Sequence, residues 1–416
     1  MKNYNGNNLE TVQNMNRALV IKLLYGGKYN TRISIAQASG LNRATISNIV
    51  DDLMDWGLVS ETGNISGKKG RRSIALELNA RKYVTICVHI LRDALVFGVL
   101  DIRGNYKKEL RRISTVGFAP QKTVDLIKRE VSKMITSINA GGIEKLIGIG
   151  FAVPGPYIRE SGNFVLMSHV PGWEHINFAS QLQWGDDLPV FLEHDANCAA
   201  FAEWWYKDSA SKHSSILFLC AGPGIGAGII ENGKLLSGCL GIAGEVGHMS
   251  INYTGPLCEC GHRGCLELYA STFALENEAL ALFKKGFPSS LSLEDMHADS
   301  ILEAVNAGDP LAVKAFDRIA EALGFGVVNL VNLYNPEVIY LGDTLSKAPD
   351  RLLKIVSGIV KENLRNIIHD KLQIKISHFN PEETVMLGIS AMVFDNIVSS
   401  NSLVKMFKSP TALSSP

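Results

Sequence analysis

The sequence lacks a net charge: 41 Lys and Arg stand against 41 Asp and Glu, so no global field draws the chain to nucleic acid or to an acidic surface. It lacks any apolar run near the roughly 18 residues that a membrane helix needs, and no membrane partner is expected. The first twenty residues are polar and Asn-rich, with no apolar stretch behind basic residues, so no secretory leader is expected. Cysteine is sparse and odd in number, seven in 416 residues. That speaks against a disulfide framework and for a reducing, cytoplasmic setting. Cys87, Cys198, Cys220 and Cys239 sit in apolar runs and read as small buried side chains. The remainder is an ordinary soluble mixture, 46% hydrophobic and 20% charged, long enough for two or three domains.

Overall neutrality hides an asymmetry, because residues 1–80 hold ten basic and six acidic side chains. An apolar stripe of Met15, Leu19, Val20, Leu23 and Leu24 predicts a helix over 14–25, with residues 1–13 loosely attached before it. Thr31 is placed to cap a second helix running through Ser39, and Gly40 supplies a turn. Asn42 is placed to cap a third helix over 43–55, whose buried face carries Ile46, Ile49, Val50 and Leu53. Two short strands are predicted near 58–61 and 73–78, on either side of a glycine-rich basic loop. Helix, turn, helix and basic wing make a winged helix-turn-helix. On the outer face of the third helix, Asn42, Arg43, Thr45, Ser47 and Asn48 suit base edges and phosphates. In the wing, Lys68, Lys69, Arg71 and Arg72 suit phosphates or a narrow minor groove. The expected partner is operator DNA; the same pattern also fits a helical protein–protein module with a solvated loop.

The most informative stretch runs from Gly241 to Glu267. It contains Glu245-Val-Gly-His248 and then Cys258-Glu-Cys260-Gly-His-Arg-Gly-Cys265-Leu-Glu267. His248, Cys258, Cys260 and Cys265 form a Cys₃His set, the make-up of a closed structural zinc site. Glu245 precedes His248 by three residues, so one helical turn puts both on one face. This stretch resembles the signature of the ROK family of repressors, open reading frames and sugar kinases. The resemblance implies zinc on the His and three Cys, and sugar hydroxyls on Glu245, His248 and Glu267. It also implies an α/β fold: a winged helix-turn-helix (1–80) of the kind found in the family's repressors, then a two-lobed actin-like ATPase fold (81–400). The zinc module spans 245–267, and a flexible tail follows at 401–416.

The family's kinases place an Asp-x-Gly-Gly-Thr motif between the first two strands of that fold, where glycines admit ATP phosphates. Here the aligned residues are His89-Ile90-Leu91-Arg92-Asp93, and bulky Leu91 and Arg92 replace the glycines. Pro223 stands where kinases carry a Thr in their second glycine loop, and Asp343 where they often keep a Gly. His169 and His194 stand where kinases usually have Asn. By the same resemblance Asp195, beside His194, takes the place of the kinase general base toward a sugar hydroxyl. An Asp there also suits the cap of a helix starting at Asn197. The chain is therefore expected to keep a sugar site at His194, Asp195, Glu245, His248 and Glu267, and not to be an enzyme. The expected function is a sugar-responsive transcriptional regulator, most simply a repressor released by a monosaccharide, working as a homodimer or homotetramer. The alternative is an ATP-dependent sugar kinase with an added DNA-binding domain. Residues 248–271 look most similar to the family's xylose repressors, with glucose and N-acetylglucosamine-type sugars as further candidates.

Overall fold

The computed structural model describes residues 9–65, 73–155, 157–158, 161–164, 172–185, 188–208, 213–400 and 402–408. The amino-terminal helix α1 (Leu9–Tyr25) starts earlier than its apolar stripe suggests. It is followed by α2 (Arg32–Ser39) and α3 (Arg43–Asp55). Both caps fall where the sequence puts them. Thr31 and Ser34 exchange side chain for backbone N–H at 3.1 Å in each direction, and Asn42 Oδ1 accepts from the Thr45 N–H at 2.8 Å. Strand β1 (Val59–Ile65) pairs antiparallel with β2 (Ser73–Leu78) to form the base of the wing.

The first lobe is built on β3 (Tyr83–Ile90), β4 (Ala94–Asp101), β5 (Arg111–Ser114), helix α4 (Pro120–Gly141) and β6 (Lys145–Val153). The short pair β7 (Tyr157–Ile158) and β8 (Asn163–Phe164), helix α5 (Phe178–Gln181) and strand β9 (Val190–His194) complete it. Its sheet runs in the order β5-β4-β3-β6-β9. β3 and β4 are buried along their whole length, the continuous burial expected of strands covered on both faces.

Helix α6 (Asp195–Glu203) leads into the second lobe, which opens with β10 (Ser215–Ala221), β11 (Ile225–Glu231) and β12 (Lys234–Leu235). Helices α7 (Glu267–Ala270), α8 (Thr272–Lys284), α9 (Ala298–Ala307) and α10 (Pro310–Tyr334) follow. Then come β13 (Val338–Gly342), α11 (Pro349–Asn363), α12 (Asn366–His369) and β14 (Gln373–Ile376). The second sheet has the order β12-β11-β10-β13-β14. The chain returns to the first lobe through α13 (Pro381–Ser399) and α14 (Ser402–Lys408).

Helices α6 and α13 cross between the lobes. Gly388 lets them meet, since a Cβ there would run into the Cys198 carbonyl. The turn after α6 reaches the amino-terminal unit. Tyr25 of α1 packs its ring 4.8 Å from Trp205 and 5.9 Å from Phe394 of α13. Lys22 pairs with Asp395 at 2.7 Å, and Tyr83 Oη donates to the Trp56 carbonyl at 2.8 Å. The winged helix thus shares one apolar core with the α6–α13 layer.

Three expectations need correction. The segment expected as a flexible tail from 401 contains α14, whose Leu403, Met406 and Phe407 are buried; Phe407 meets the Tyr83 ring edge-on at 4.9 Å. These apolar side chains recur at helical spacing and find a lobe surface that the linear sequence does not display. Cys239 is exposed rather than buried, because its segment joins β12 to the Glu245 turn at the surface. Helix α6 begins at Asp195, not at Asn197. No single helix among the described residues is long and apolar enough to cross a membrane.

Candidate functional site

The groups of the cleft are delivered by helix starts and tight turns. β9 ends at His194, and α6 starts at Asp195. Asp195 Oδ1 accepts from the Ala196 N–H at 2.7 Å, which ties down one oxygen and leaves Oδ2 turned toward His89 at 4.0 Å. Buried Glu193 fixes the turn by accepting from the His194 N–H at 2.9 Å and from Asn197 Nδ2 at 3.0 Å. His194 Nε2 lies 3.2 Å from the Tyr157 carbonyl. A carbonyl only accepts, so this contact puts the proton on Nε2 and leaves Nδ1 of the neutral ring as an acceptor. That Nδ1 faces Glu245 Oε1 at 4.0 Å.

Glu245 is the first residue of the turn that carries His248, so the predicted single-turn spacing holds. Its half-buried carboxyl is pushed up to about 7, first by burial and then by the charges of Asp195 and Glu267. Three carboxylates brought in by three different segments therefore share one field. Glu267 opens α7, and its Oε2 accepts from the Ile225 N–H at 3.0 Å, at the end of the glycine loop.

His248 turns Nδ1 toward Cys258 Sγ at 3.8 Å, while Cys260 Sγ and Cys265 Sγ stand 3.6 Å apart. All four ligand atoms lie within 4.8 Å of one another. A tetrahedral ion with metal–sulfur bonds of about 2.3 Å needs edges of about 3.8 Å, so the residues fit such an ion. Burial, followed by the neighbouring thiols, raises the Cys265 thiol to about 12. Three thiols facing inward are unfavourable as thiolates unless a cation sits among them. Gly264 makes the loop possible: its φ is +68°, and a Cβ would collide with the Asn252 carbonyl.

The opposite wall is occupied by its own side chains. Arg92, in the turn after β3, crosses the cleft and donates Nη1 to the Pro223 carbonyl at 3.0 Å. A Cβ on Gly224 would stand 2.9 Å from Arg92 Nη2 and 3.1 Å from Glu267 Oε2. Asp343 has φ +68° and ψ −164°, a region that is otherwise almost reserved for glycine. Its Oδ1 accepts from the Thr344 N–H at 2.6 Å and from Thr344 Oγ1 at 2.9 Å. Burial first, then the charge of Asp195, raises the Asp343 carboxyl.

In the amino-terminal unit Asn42, Arg43 and Asn48 are exposed, and Thr45 and Ser47 are half-buried. Asn42 spends its carbonyl oxygen on the cap, which leaves its amide group to donate outward. Lys68, Lys69, Arg71, Arg72 and His169 lie outside the described residues. The sequence reading missed His89, Glu193 and the reach of Arg92. A lone His at the end of an otherwise apolar strand was the available signal for the first.

The ROK family profile matches residues 85–396. The chain is 32% identical to the xylose repressor of Caldicellulosiruptor bescii over 398 residues, covering 93% of this chain and 97% of that protein. It is 27% identical to the N-acetylglucosamine repressor of Escherichia coli O157:H7 over 390 residues, covering 93% and 94%. A ROK family transcriptional regulator, a homologue of the E. coli MLC protein, superposes with a TM-score of 0.82 at 25% identity, covering 96% of this chain and all of that one. A ROK family glucokinase from Streptomyces griseus, in complex with glucose and AMPPNP, superposes with a TM-score of 0.63 at 25% identity over 74% of this chain and 98% of its own. The regulator's match includes the amino-terminal unit, whereas the glucokinase leaves about a quarter of this chain unmatched. From the Cys₃His loop to the family profile, the lines of evidence agree that this chain belongs to the ROK family.

Proposed function

We propose that the protein is a sugar-responsive DNA-binding repressor, with operator DNA read by α3 and the wing and released when a monosaccharide enters the cleft. The observation that carries this reading is the convergence of Asp195, Glu245 and Glu267 with His194 on one open face. Carboxylates and imidazoles at fixed angles suit a ring of hydroxyls, each of which donates and accepts. His248 commits Nδ1 to the thiol cluster, which leaves Nε2 free of that task. One zinc ion held by His248, Cys258, Cys260 and Cys265 would supply bracing rather than chemistry, since protein fills all four positions. Xylose is the first candidate effector, because the similar proteins include xylose repressors.

Phosphoryl transfer is not part of this reading. Arg92 lies over the glycine loop, and Asp343 fills the space beside Gly222. The coupling route is α6, which starts at Asp195 and leads, through the turn after it, to Trp205 against Tyr25 of the reading head. A sugar held by both walls favours one arrangement of the lobes only by its differential affinity for it. In a dimer a shift of α6 then changes the spacing of two heads that must meet half-sites a fixed distance apart.

The test is an operator titration with and without xylose, glucose and N-acetylglucosamine. A sugar is expected to weaken operator binding by roughly 5- to 150-fold. Asn48→Ala is expected to change which operator bases matter, at about 1–3 kcal/mol per lost base contact. No response to any sugar, or ATP-dependent sugar phosphorylation at roughly 1 per second or faster, would overturn the repressor reading.

A further inference from the structure

Among the described residues, His89 is a buried group of the cleft whose two ring nitrogens both lack a partner. It is the next-to-last residue of β3, its side chain is 8% exposed, and neither Nδ1 nor Nε2 has a hydrogen-bond partner. A buried polar group left unmade costs about 1–3 kcal/mol. An apolar residue would fill the same strand position without that penalty, so folding alone does not account for this one.

Its surroundings say what the imidazole is for. Nε2 stands 4.0 Å from Asp195 Oδ2, too far for a direct hydrogen bond. A single oxygen can fill that span, accepting from the N–H at about 2.9 Å and donating to the carboxylate at about 2.7 Å. The same spacing recurs on the other side of the α6 start, where His194 Nδ1 stands 4.0 Å from Glu245 Oε1. Two imidazole–carboxylate pairs, each open by one oxygen, sit at adjacent residues 194 and 195.

We infer that His89 is an effector-contacting residue. One hydroxyl of the sugar bridges His89 and Asp195, accepting from Nε2–H and donating to Oδ2, and a second donates to His194 Nδ1 beside Glu245. This rests on the repressor reading above and deepens it by naming the contact and its chemistry. The bridged group is a hydroxyl and not a phosphate. A phosphate oxygen at that point would face the Asp195 carboxylate directly, with Glu245 and Glu267 in the same field. The nearby cation, Arg92, is turned to the Pro223 carbonyl. No side chain or backbone group of the described residues supplies His89 with a partner, so its identity bears on affinity for the effector more than on the packing of β3.

The experiment measures affinity by calorimetry and effector-free melting temperature, on the full chain, with xylose, glucose, N-acetylglucosamine and glucose 6-phosphate. His89→Leu is expected to melt at or above the wild-type temperature, because the unpartnered imidazole is gone, and to bind the sugar roughly 10- to 100-fold more weakly. His89→Gln, whose amide nitrogen reaches about as far as Nε2, is expected to recover part of that loss. A His89→Leu variant that binds the sugar as tightly as wild type overturns the inference alone. So does one that melts well below wild type, which would make His89 a structural residue. Glucose 6-phosphate bound more tightly than glucose overturns the hydroxyl assignment. A wild type that binds none of the sugars overturns both this inference and the repressor reading.

Discussion

The two walls of the cleft use the same kinds of residue to opposite ends. On the wall of Asp195, Glu245 and Glu267, carboxylates arrive from separate segments and face a shared space, so that their mutual repulsion and burial lift Glu245 to about 7. On the wall of Arg92, Pro223 and Asp343, the polar groups are consumed locally, Arg92 on the Pro223 carbonyl and Asp343 on Thr344. The first arrangement is under tension without a ligand; in the second, Arg92 and one oxygen of Asp343 already have partners within the chain. An open, strained set of acceptors waits for donors and a closed set does not; on the proposed repressor reading, that contrast is what sets a sensor apart from a transferase.

The largest test of that contrast removes the brace behind the open wall. Cys265→Ser is expected to bring the metal content from one ion per chain to none and to lower stability by roughly 4 kcal/mol or more, read by metal analysis and thermal unfolding. A variant that keeps its metal and its melting temperature would show that the four ligands do not form one site.

Next in size, Glu267→Gln keeps an acceptor for the Ile225 N–H but loses the charge toward the cleft. Operator affinity is expected to stay at the wild-type value, while the sugar concentration for half-release rises about 10- to 100-fold. Unchanged potency would place the pocket elsewhere.

Glu245 sharpens the comparison through pH. Its carboxyl sits near 7 in the folded chain against an ordinary value of 4.5, so between those values the folded state holds a proton that the unfolded chain has released. Effector-free stability from this group is therefore full below about 4.5, falls as pH rises, and is lost above about 7. Glu245→Gln is expected to remove that slope and to raise stability at pH 8 by on the order of 1–2 kcal/mol, seen as melting curves that no longer diverge between about pH 5 and 7. A mutant with the wild-type slope would assign the titration to another group.

The smallest effect belongs to the closed wall. Asp343→Gly relieves a strain of about 1–3 kcal/mol but frees the unfolded chain and loses the Thr344 bonds. The expected net change in denaturant unfolding is within about 1 kcal/mol, with no sugar phosphorylation gained, since Arg92 still covers the glycine loop. Phosphorylation by this variant would show that Asp343 alone closed the site.

Much of this was legible because it is local. Thr31 and Asn42 cap the helices they precede, since a cap is decided within four residues. Cys258, Cys260 and Cys265 lie close together in sequence, and the glycines between them admit the turns that bring the thiols together. The misreadings are non-local. The buried face of α14 depends on a partner surface about 300 residues earlier, at Tyr83. Cys239 follows apolar neighbours in sequence but solvent in space. His89 reads in sequence as a broken phosphate motif, and its lack of a partner appears only when β3 and α6 are brought together.

The sequence by itself determined the winged helix-turn-helix, the Cys₃His cluster and the carboxylates that flank it, because capping, turn chemistry and residue spacing act over a few residues. Only the tertiary structure decided that Arg92 spans the cleft, that α6 joins the pocket to Tyr25, and that His89 faces Asp195 without touching it. Each of these is a distance between segments far apart in the chain, set by how two sheets pack around α6 and α13, and no local rule carries that information.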